Sequence, residues 1–261
     1  MSVAVSLSNV RLDHKNCVGC NNCIRFCPEK RVNLSVADEQ GNTLIDLRPE
    51  YCIDCGTCIK HCHKRARYFL DDTEAFMNDF LSGKKISIIF APAFKTNYPK
   101  WKNILGWFKH PTLGQNAVNQ IYDTSFGAEI TTWAYLKFIT ASGKGGWISQ
   151  PCPVVVNMIE KYYPNLVHNL VPIHSPMHCA AVYMQKYKNI QDNLAFLSPC
   201  IAKRDEIRER NIMKYNVTYK TLMEWFQKHD IDPEQSPEAE PDNIAPQLGS
   251  FFPIAGGLRE N

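Results

Sequence analysis

The sequence predicts an N-terminal α+β domain followed by an α/β domain, and two observations support this. Eight of the eleven cysteines occur before residue 63, in two runs of equal spacing. After Gly83, apolar strand-like segments alternate with helix-like segments, which is typical of an α/β layer with a largely parallel sheet. The expected domains span residues 1–80 and 81–261.

The overall composition excludes several classes of protein. A net charge of +3 is too small to indicate nucleic-acid binding. No signal peptide is evident, and no run of about 18 apolar residues could span a membrane. Because C-x2-C spacing without a signal favours reduced thiols over disulfides, we expect a cytoplasmic protein with no membrane partner.

The two cysteine runs share the spacing C-x2-C-x2-C-x3-C, the bacterial pattern for a pair of 4Fe–4S clusters. It predicts an α+β ferredoxin-like two-cluster domain. In such pairs the fourth cysteine of each run serves the other cluster. One predicted ligand set is therefore Cys17, Cys20, Cys23 and Cys62, and the other is Cys52, Cys55, Cys58 and Cys27. Zinc sites and disulfides are the alternatives, although zinc usually takes paired C-x2-C units.

Several residues around the runs have predicted roles. Gly19 and Gly56 suit tight turns whose amides face the clusters. The segment Val32–Leu47 alternates about a Gly-Asn turn and predicts a β-hairpin. The stretch Lys60–Arg67 is basic. A proline follows the last cysteine of the first run, whereas His63 occupies the matching position after the second run. We interpret this stretch as a solvated helix end, or else as a docking surface for an acidic redox partner.

The second domain is predicted element by element from apolar patterning and breakers. The predicted strands are residues 86–94, Asn119–Tyr122, GKGGWIS from residue 143 and Asn193–Ser198. The predicted helices are Lys100–His110 (ended by Pro111), Ala128–Thr140, Val154–Tyr163 and the charged KRDEIRER segment. The acidic, proline-rich stretch DIDPEQSPEAEPDN predicts an exposed loop, or a linker to a further domain.

Three cysteines lie outside the runs. Cys152 and Cys200 each stand at the expected junction of a strand and a helix, where the helix dipole favours a thiolate that could bind metal. Strand ends are also where α/β sheets bind ligands. From residue type alone, a buried inert thiol is the more common case for both, and Cys179 is best interpreted as a small core residue. The neighbouring His174 and His178 are interpreted as core or surface histidines.

Several segments resemble the iron-only (FeFe) hydrogenase family. WISQPCPVVVNMIEKYYP resembles the first signature segment of its catalytic domain, and SPCIAKRDE resembles the second. APAF and DTSFGAEIT resemble upstream segments, and the C-terminal AGGLREN resembles the opening of the region that leads to the third signature. The resemblance, together with the ferredoxin-like part, runs from about Asn16 to Asn261.

The resemblance implies an iron–sulfur oxidoreductase in which two 4Fe–4S clusters relay electrons from a partner such as a ferredoxin or reductase to an H-cluster. Cys152 and Cys200 would be ligands of the H-cluster cubane. Lys203 would hold a diatomic ligand of the diiron unit, whereas the alternative for it is a surface lysine paired with Glu206. The family has two further cysteines beyond a glycine pair that matches Gly256–Gly257. We therefore expect an incomplete α/β hydrogenase-type domain here, as in a fragment of a longer protein.

Two departures from the family concern proton transfer. Pro151 replaces the cysteine that passes protons to the diiron site, and Trp133, Ala134 and Tyr135 stand where acidic residues are expected. A proton path needs groups that gain and lose protons. These losses imply the family's sensory, slow-turnover branches, and the chain alone is expected to be inactive. The alternative function is an electron carrier, or a redox-responsive scaffold, without H-cluster activity.

Overall fold

The computed structural model describes residues 8–110, 117–244 and 248–254. Contacts divide the chain into two compact units, one within residues 1–70 and 153–167 and the other within 71–152 and 168–261. The strands are β1 (Val10–Leu12), β2 (Asn33–Ala37), β3 (Thr43–Leu47), β4 (Arg67–Phe69), β5 (Ile86–Phe90), β6 (Ile121–Asp123), β7 (Asn193–Ser198) and β8 (Tyr215–Thr218). The helices are α1 (Asn22–Arg25), α2 (Thr57–Lys60), α3 (Thr73–Leu81), α4 (Ala93–Asn97), α5 (Trp101–Lys109), α6 (Ser125–Ser142), α7 (Pro153–Tyr162), α8 (Pro176–Tyr187), α9 (Lys203–Arg210) and α10 (Tyr219–Lys228).

The first unit is built from two small antiparallel sheets and short helices. Strands β1 and β4 pair with each other, and β2 and β3 form a hairpin that closes from Asn33 opposite Leu47. The predicted hairpin is therefore confirmed. Helix α7 belongs to this unit, where Lys161 Nζ donates to the carbonyl of Cys52 at 2.6 Å and Tyr162 Oη donates to that of Tyr51 at 2.7 Å. These bonds tie the end of α7 to the start of the second cysteine run.

The second unit is an α/β domain around a four-stranded parallel sheet of order β6-β5-β7-β8, which confirms the predicted layer type. Successive strand residues point to opposite faces. Ile88 accordingly packs with α3, α5 and α10, whereas the next residue, Ile89, packs with α8 and α9. Both faces are buried, which explains why β5 is apolar except for Ser87 and is buried along its whole length.

Some predicted elements differ from the structure. The GKGGWIS segment forms only an isolated bridge, between Ile148 and Leu170, instead of a strand. Two glycines in that segment adopt positive φ, Gly143 at 59° and Gly146 at 80°, and this interrupts extended backbone. Helix α6 begins at Ser125 and is therefore longer than the predicted helix Ala128–Thr140. Pro111, the predicted end of a helix, lies outside the described residues.

The acidic, proline-rich stretch is largely exposed, as predicted, but it is also anchored to the second unit. The carbonyl of Ser236 accepts a hydrogen bond from Asn103 Nδ2 at 2.8 Å, and the Asp242 carboxylate accepts one from the Ile121 amide at 2.6 Å. Among the described helices, none is both long and apolar enough to cross a membrane.

Candidate functional sites

The two cysteine runs fold alike, although their intervening residues differ. The second residue after the first cysteine has positive φ in both runs, 62° at Gly19 and 59° at Asp54. The residue after the second cysteine does too, 63° at Asn21 and 74° at Gly56. Left-handed backbone is tolerated best by Gly, Asn and Asp. Only the two glycines were predicted to form tight turns. The signal for the other two positions was that they hold Asn or Asp, which also tolerate positive φ.

The predicted ligands of one cluster line a common cavity. We call Cys17, Cys20, Cys23 and Cys62 the first thiol set, and all four border this cavity together with apolar Leu12 and Ile45 and with Arg67. The third cysteine is buried and the second exposed in each run. The backbone thus brings the first three thiols to one side of a turn, and the fourth arrives from the other run.

The other four cysteines also lie close together, and we call Cys52, Cys55, Cys58 and Cys27 the second thiol set. Burial raises the pKa of the Cys58 thiol to about 12, with the other three thiolates adding to the rise. Burial likewise raises the pKa of Cys52 to about 11. Grouped, buried thiols with high pKa values are unfavourable as free thiolates, whereas bound iron would stabilise the deprotonated form.

No three His, Cys, Asp or Glu side chains among the described residues converge tightly enough to hold a single metal ion. A cubane makes a different demand, because each of its thiolates binds a different iron and the sulfurs must therefore stand apart. Both thiol sets meet that demand in residue type and number.

Arg67 was predicted to belong to a solvated basic stretch, and for this residue the prediction was wrong. Its side chain is 3% exposed, because strand β4 turns it inward, while Lys64 and Arg65 remain exposed. The guanidinium donates to Asn33 Oδ1 at 2.5 Å and lies 3.6 Å from Cys23 Sγ. Its Nε and Nη1 are buried without a partner.

A separate site lies in the second unit, at the carboxyl ends of β5 and β7. A cavity of about 280 Å³ there is bordered by Pro151, Cys152, Lys203, Phe196 and Met177, among others. This is the edge at which parallel sheets bind ligands. The structure therefore brings Cys152 and Lys203 to one cavity, and the roles that the family resemblance implies for them stay predictions.

Cys200 stands beside this cavity, at the start of α9. Burial raises the pKa of its thiol; the Lys203 ammonium and the amides of Ala202 and Lys203 lower it, and Cys152 raises it further. The amides at the helix terminus lower the pKa of the Cys200 thiol, as expected, but burial raises it by more.

The carboxylate of Glu206 holds the Lys203 ammonium in place. From the sequence, Glu206 was considered only as the partner of a surface lysine. Lys203 Nζ donates to Glu206 Oε2 at 2.5 Å and to the carbonyl of Pro151 at 2.9 Å. Glu206 also accepts from Ser175 Oγ and contacts His178 Nδ1 at 2.8 Å. Burial alone would raise the pKa of Glu206, but the charges of Lys203 and His178 with their hydrogen bonds lower it to about 2.

The remaining predicted residues have simpler surroundings. Cys179 is half-buried and accepts a hydrogen bond from Thr131 Oγ1 at 3.2 Å, and burial raises the pKa of its thiol. His178 is 1% exposed, and its Nε2 is buried without a partner. Burial, and then the neighbouring His178, lowers the pKa of His174. His178 therefore lies in the core and His174 at the surface, and both agree with the interpretation from sequence.

The positions where the family's acidic residues were expected do not supply an alternative proton path. Trp133 is 60% exposed on α6, and Ala134 has no titratable group. Tyr135 is buried, and its hydroxyl accepts a hydrogen bond from the Gln150 amide at 3.1 Å. Pro151, beside the cavity, has no donor of its own.

Comparisons with known proteins match both parts of the chain. A family profile described as iron only hydrogenase large subunit, C-terminal domain, matches residues 84–261. A second, described as a 4Fe-4S dicluster domain, matches residues 16–66. The periplasmic Fe hydrogenase large subunit of Nitratidesulfovibrio vulgaris is 26% identical over 281 aligned positions, which cover 96% of this chain and 66% of that protein.

Solved structures show the same fold. A variant of an FeFe-hydrogenase from Chlamydomonas reinhardtii matches 68% of this chain and 53% of its own, with a TM-score of 0.51 and 21% identity. An FeFe-hydrogenase structure concerned with oxygen inactivation of the H cluster matches 61% of this chain and 46% of its own, with a TM-score of 0.50 and 21% identity. The chain thus spans about half the length of these solved structures.

Proposed function

The chain belongs to the family of iron-only hydrogenase large subunits, and on that premise we propose that it relays single electrons through two 4Fe–4S clusters to a site that handles or senses dihydrogen. The ferredoxin-type part and the α/β part are the two halves of this proposal. The number of clusters, their ligands and the use of the second site are all parts of it.

The observation that carries the proposal is the pairing of the two thiol sets with a buried, uncompensated cation. Taking a guanidinium out of water costs several kcal/mol unless an anion accompanies it. In the described residues no carboxylate forms an ion pair with Arg67. A thiolate-ligated 4Fe–4S cluster is anionic, so clusters held by the thiol sets would supply the missing negative charge. The residues present therefore fit the cofactor.

At the second site, the proposed role of Cys152 and Cys200 is to ligate the H-cluster cubane. The chemistry supplied by that cofactor, when bound, is the reversible handling of dihydrogen. Lys203 would donate a charge-assisted hydrogen bond into the cavity, and Glu206 would hold the ammonium in position. The further cysteines that the family resemblance implies lie beyond Gly256–Gly257, a pair outside the described residues.

The same site supports slow turnover or sensing instead of rapid catalysis. A proton relay needs titratable groups within hydrogen-bond reach of one another. Pro151, which borders the cavity, cannot carry a proton, and the only hydroxyl among the three α6 positions, that of Tyr135, already accepts a backbone hydrogen bond. We therefore expect proton delivery to limit the rate.

The proposed electron donor or acceptor is a redox protein such as a ferredoxin or a reductase. The exposed cations next to the second cysteine run, among them Lys64 and Arg65, would favour an acidic surface on that partner.

One observation favours a second candidate function, electron carriage without an H-cluster. Lys203 Nζ is already satisfied by Glu206 and by the Pro151 carbonyl, and it needs no further partner. In that case the second unit would be a scaffold that responds to the state of the clusters.

Anaerobic purification followed by iron and sulfide counting separates the two candidates. About eight irons per chain, with electron paramagnetic resonance (EPR) signals of reduced 4Fe–4S clusters, is expected for the relay alone. Additional iron together with infrared bands of carbonyl and cyanide ligands would indicate an H-cluster. A chain that takes up zinc in place of iron would contradict both.

A matched pair of variants tests the second site. In protein that has passed through the family's maturation, Cys200→Ala should abolish the infrared bands, whereas Cys179→Ala should leave them unchanged. Equal effects of the two substitutions would contradict the assignment of Cys200. Proton reduction at a high rate by the matured protein would contradict slow turnover.

A further inference from the structure

Arg67 is a buried cation that lies beside the first thiol set. It borders the cavity of the first set and has Nη2 3.6 Å from Cys23 Sγ. The shared cavity and the contact to the sulfur are two geometric facts, and both place the guanidinium against the first thiol set.

Asn33 holds the guanidinium in that place. Its Oδ1 accepts from Arg67 at 2.5 Å, and its Nδ2 donates to the carbonyl of Cys23 at 3.2 Å. Since Asn33 is 2% exposed, this bridge is shielded from water and resists rearrangement.

We propose that Arg67 is an internal counter-charge that raises the reduction potential of the cluster held by the first thiol set. The inference rests on the two-cluster part of the proposed function and identifies the residue that tunes it. Arg67 contributes only its fixed positive charge and forms no covalent bond to a cluster.

The direction of the effect follows from electrostatics. A one-electron donor protein, or dithionite in the test, adds one negative charge to a cluster, and no bond forms or breaks. A fixed positive charge nearby stabilises the reduced form more than the oxidised form. An arginine remains protonated across the accessible pH range, so its effect requires no coupled proton.

Burial distinguishes Arg67 from the other cations near the runs. Arg65 is two residues away, carries the same charge and is exposed. Water and salt screen an exposed guanidinium strongly, whereas a buried one is screened much less. Loss of either residue changes the net charge equally, so a difference between them reports on position alone.

The test uses the full chain, purified anaerobically with its clusters reconstituted from iron and sulfide. Arg67→Gln, Arg67→Lys and the matched control Arg65→Gln are titrated with dithionite at fixed pH, and cluster reduction is followed by EPR. We expect Arg67→Gln to lower the reduction potential of the cluster in the first thiol set, which shares its cavity with Arg67, and to change the other cluster less. Arg67→Lys and Arg65→Gln should stay near the wild type.

Each outcome decides something specific. Equal titrations for Arg67→Gln and Arg65→Gln would overturn the inference while leaving the clusters in place. Absence of 4Fe–4S signals in the wild type would instead refute the proposed function. If Arg67→Gln does not assemble, wild-type protein labelled with ¹⁵N-arginine decides the question by pulsed EPR. A guanidinium nitrogen coupled to the reduced clusters supports the inference, and its absence overturns it.

Discussion

Replacing Glu206 with glutamine should weaken the second unit through the loss of one buried negative charge. The carboxylate accepts from Lys203, Ser175 and His178, and its side chain is 18% exposed. Its charge balances the Lys203 ammonium, whose side chain is 12% exposed. In the variant, that ammonium would remain partly buried without a counter-charge.

The size of the effect follows from the pKa of Glu206. Burial works against ionisation, yet Lys203 and His178 lower the pKa from the ordinary 4.5 to about 2. At 1.36 kcal/mol for each pH unit, this difference corresponds to about 3 kcal/mol of stability. Because the folded-state pKa is the lower one, the contribution is complete above pH 4.5 and is lost as the pH falls toward 2.

The measurement is urea unfolding followed by tryptophan fluorescence. All five tryptophans lie between residues 101 and 225, within the second unit, so the signal reports on that unit. Glu206→Gln should lose about 3 kcal/mol at pH 7, and the difference from the wild type should shrink below about pH 4.5. Glu209→Gln, on the exposed side of the same helix, should change stability by less than about 0.5 kcal/mol.

Two results would refute this reasoning. One is an equal urea midpoint for the Glu206 and Glu209 variants at pH 7. The other is a difference between wild type and Glu206→Gln that stays constant down to pH 3, because a charge-based contribution must disappear as the carboxylate is protonated.

Three further predictions concern other parts of the chain. Gly19→Ala should lower iron retention, because at a φ of 62° its Cβ would lie 2.1 Å from the Thr43 carbonyl oxygen. The control Gly41→Ala, whose Cβ meets nothing within 4 Å, should retain the wild-type iron content. Cys23→Ala should lose about half of the iron, while Cys179→Ala should lose none from the thiol sets, as iron counting after gel filtration would show. Phe108→Ala should destabilise the second unit by about 3–5 kcal/mol in urea unfolding, since the side chain is fully buried among aromatic rings; a loss below about 1 kcal/mol would contradict that packing.

Much of the fold could be predicted because its signals are local. The hairpin closed by Asn33 and Leu47 follows from alternation around a turn, and β5 follows from a run rich in isoleucine. Strand β8 and helix α8 were not predicted. Residues of α8 such as His178 obscure its apolar face, and that face is recognisable only once β7 and α9 lie against it.

The candidate sites divide in the same way. Cys23 and its neighbours could be named from spacing, because three ligands of a cubane come from one short turn. Glu206 was considered only as a surface partner for Lys203, since a charged helix normally faces water. Its contacts to Ser175 and His178 join residues about 30 positions apart, and no local pattern encodes them.

The sequence by itself determined which atoms can bind iron, because eight cysteines at fixed short intervals leave their thiols few alternatives within a turn. Only the tertiary structure decided the electrostatic environment of those thiols. Lys64, Arg65 and Arg67 form one basic stretch along the chain, yet pairing of β1 with β4 turns Arg67 alone into the interior. Charge is a property of the residue, whereas the strength of its field depends on burial, and burial is set by contacts between distant segments.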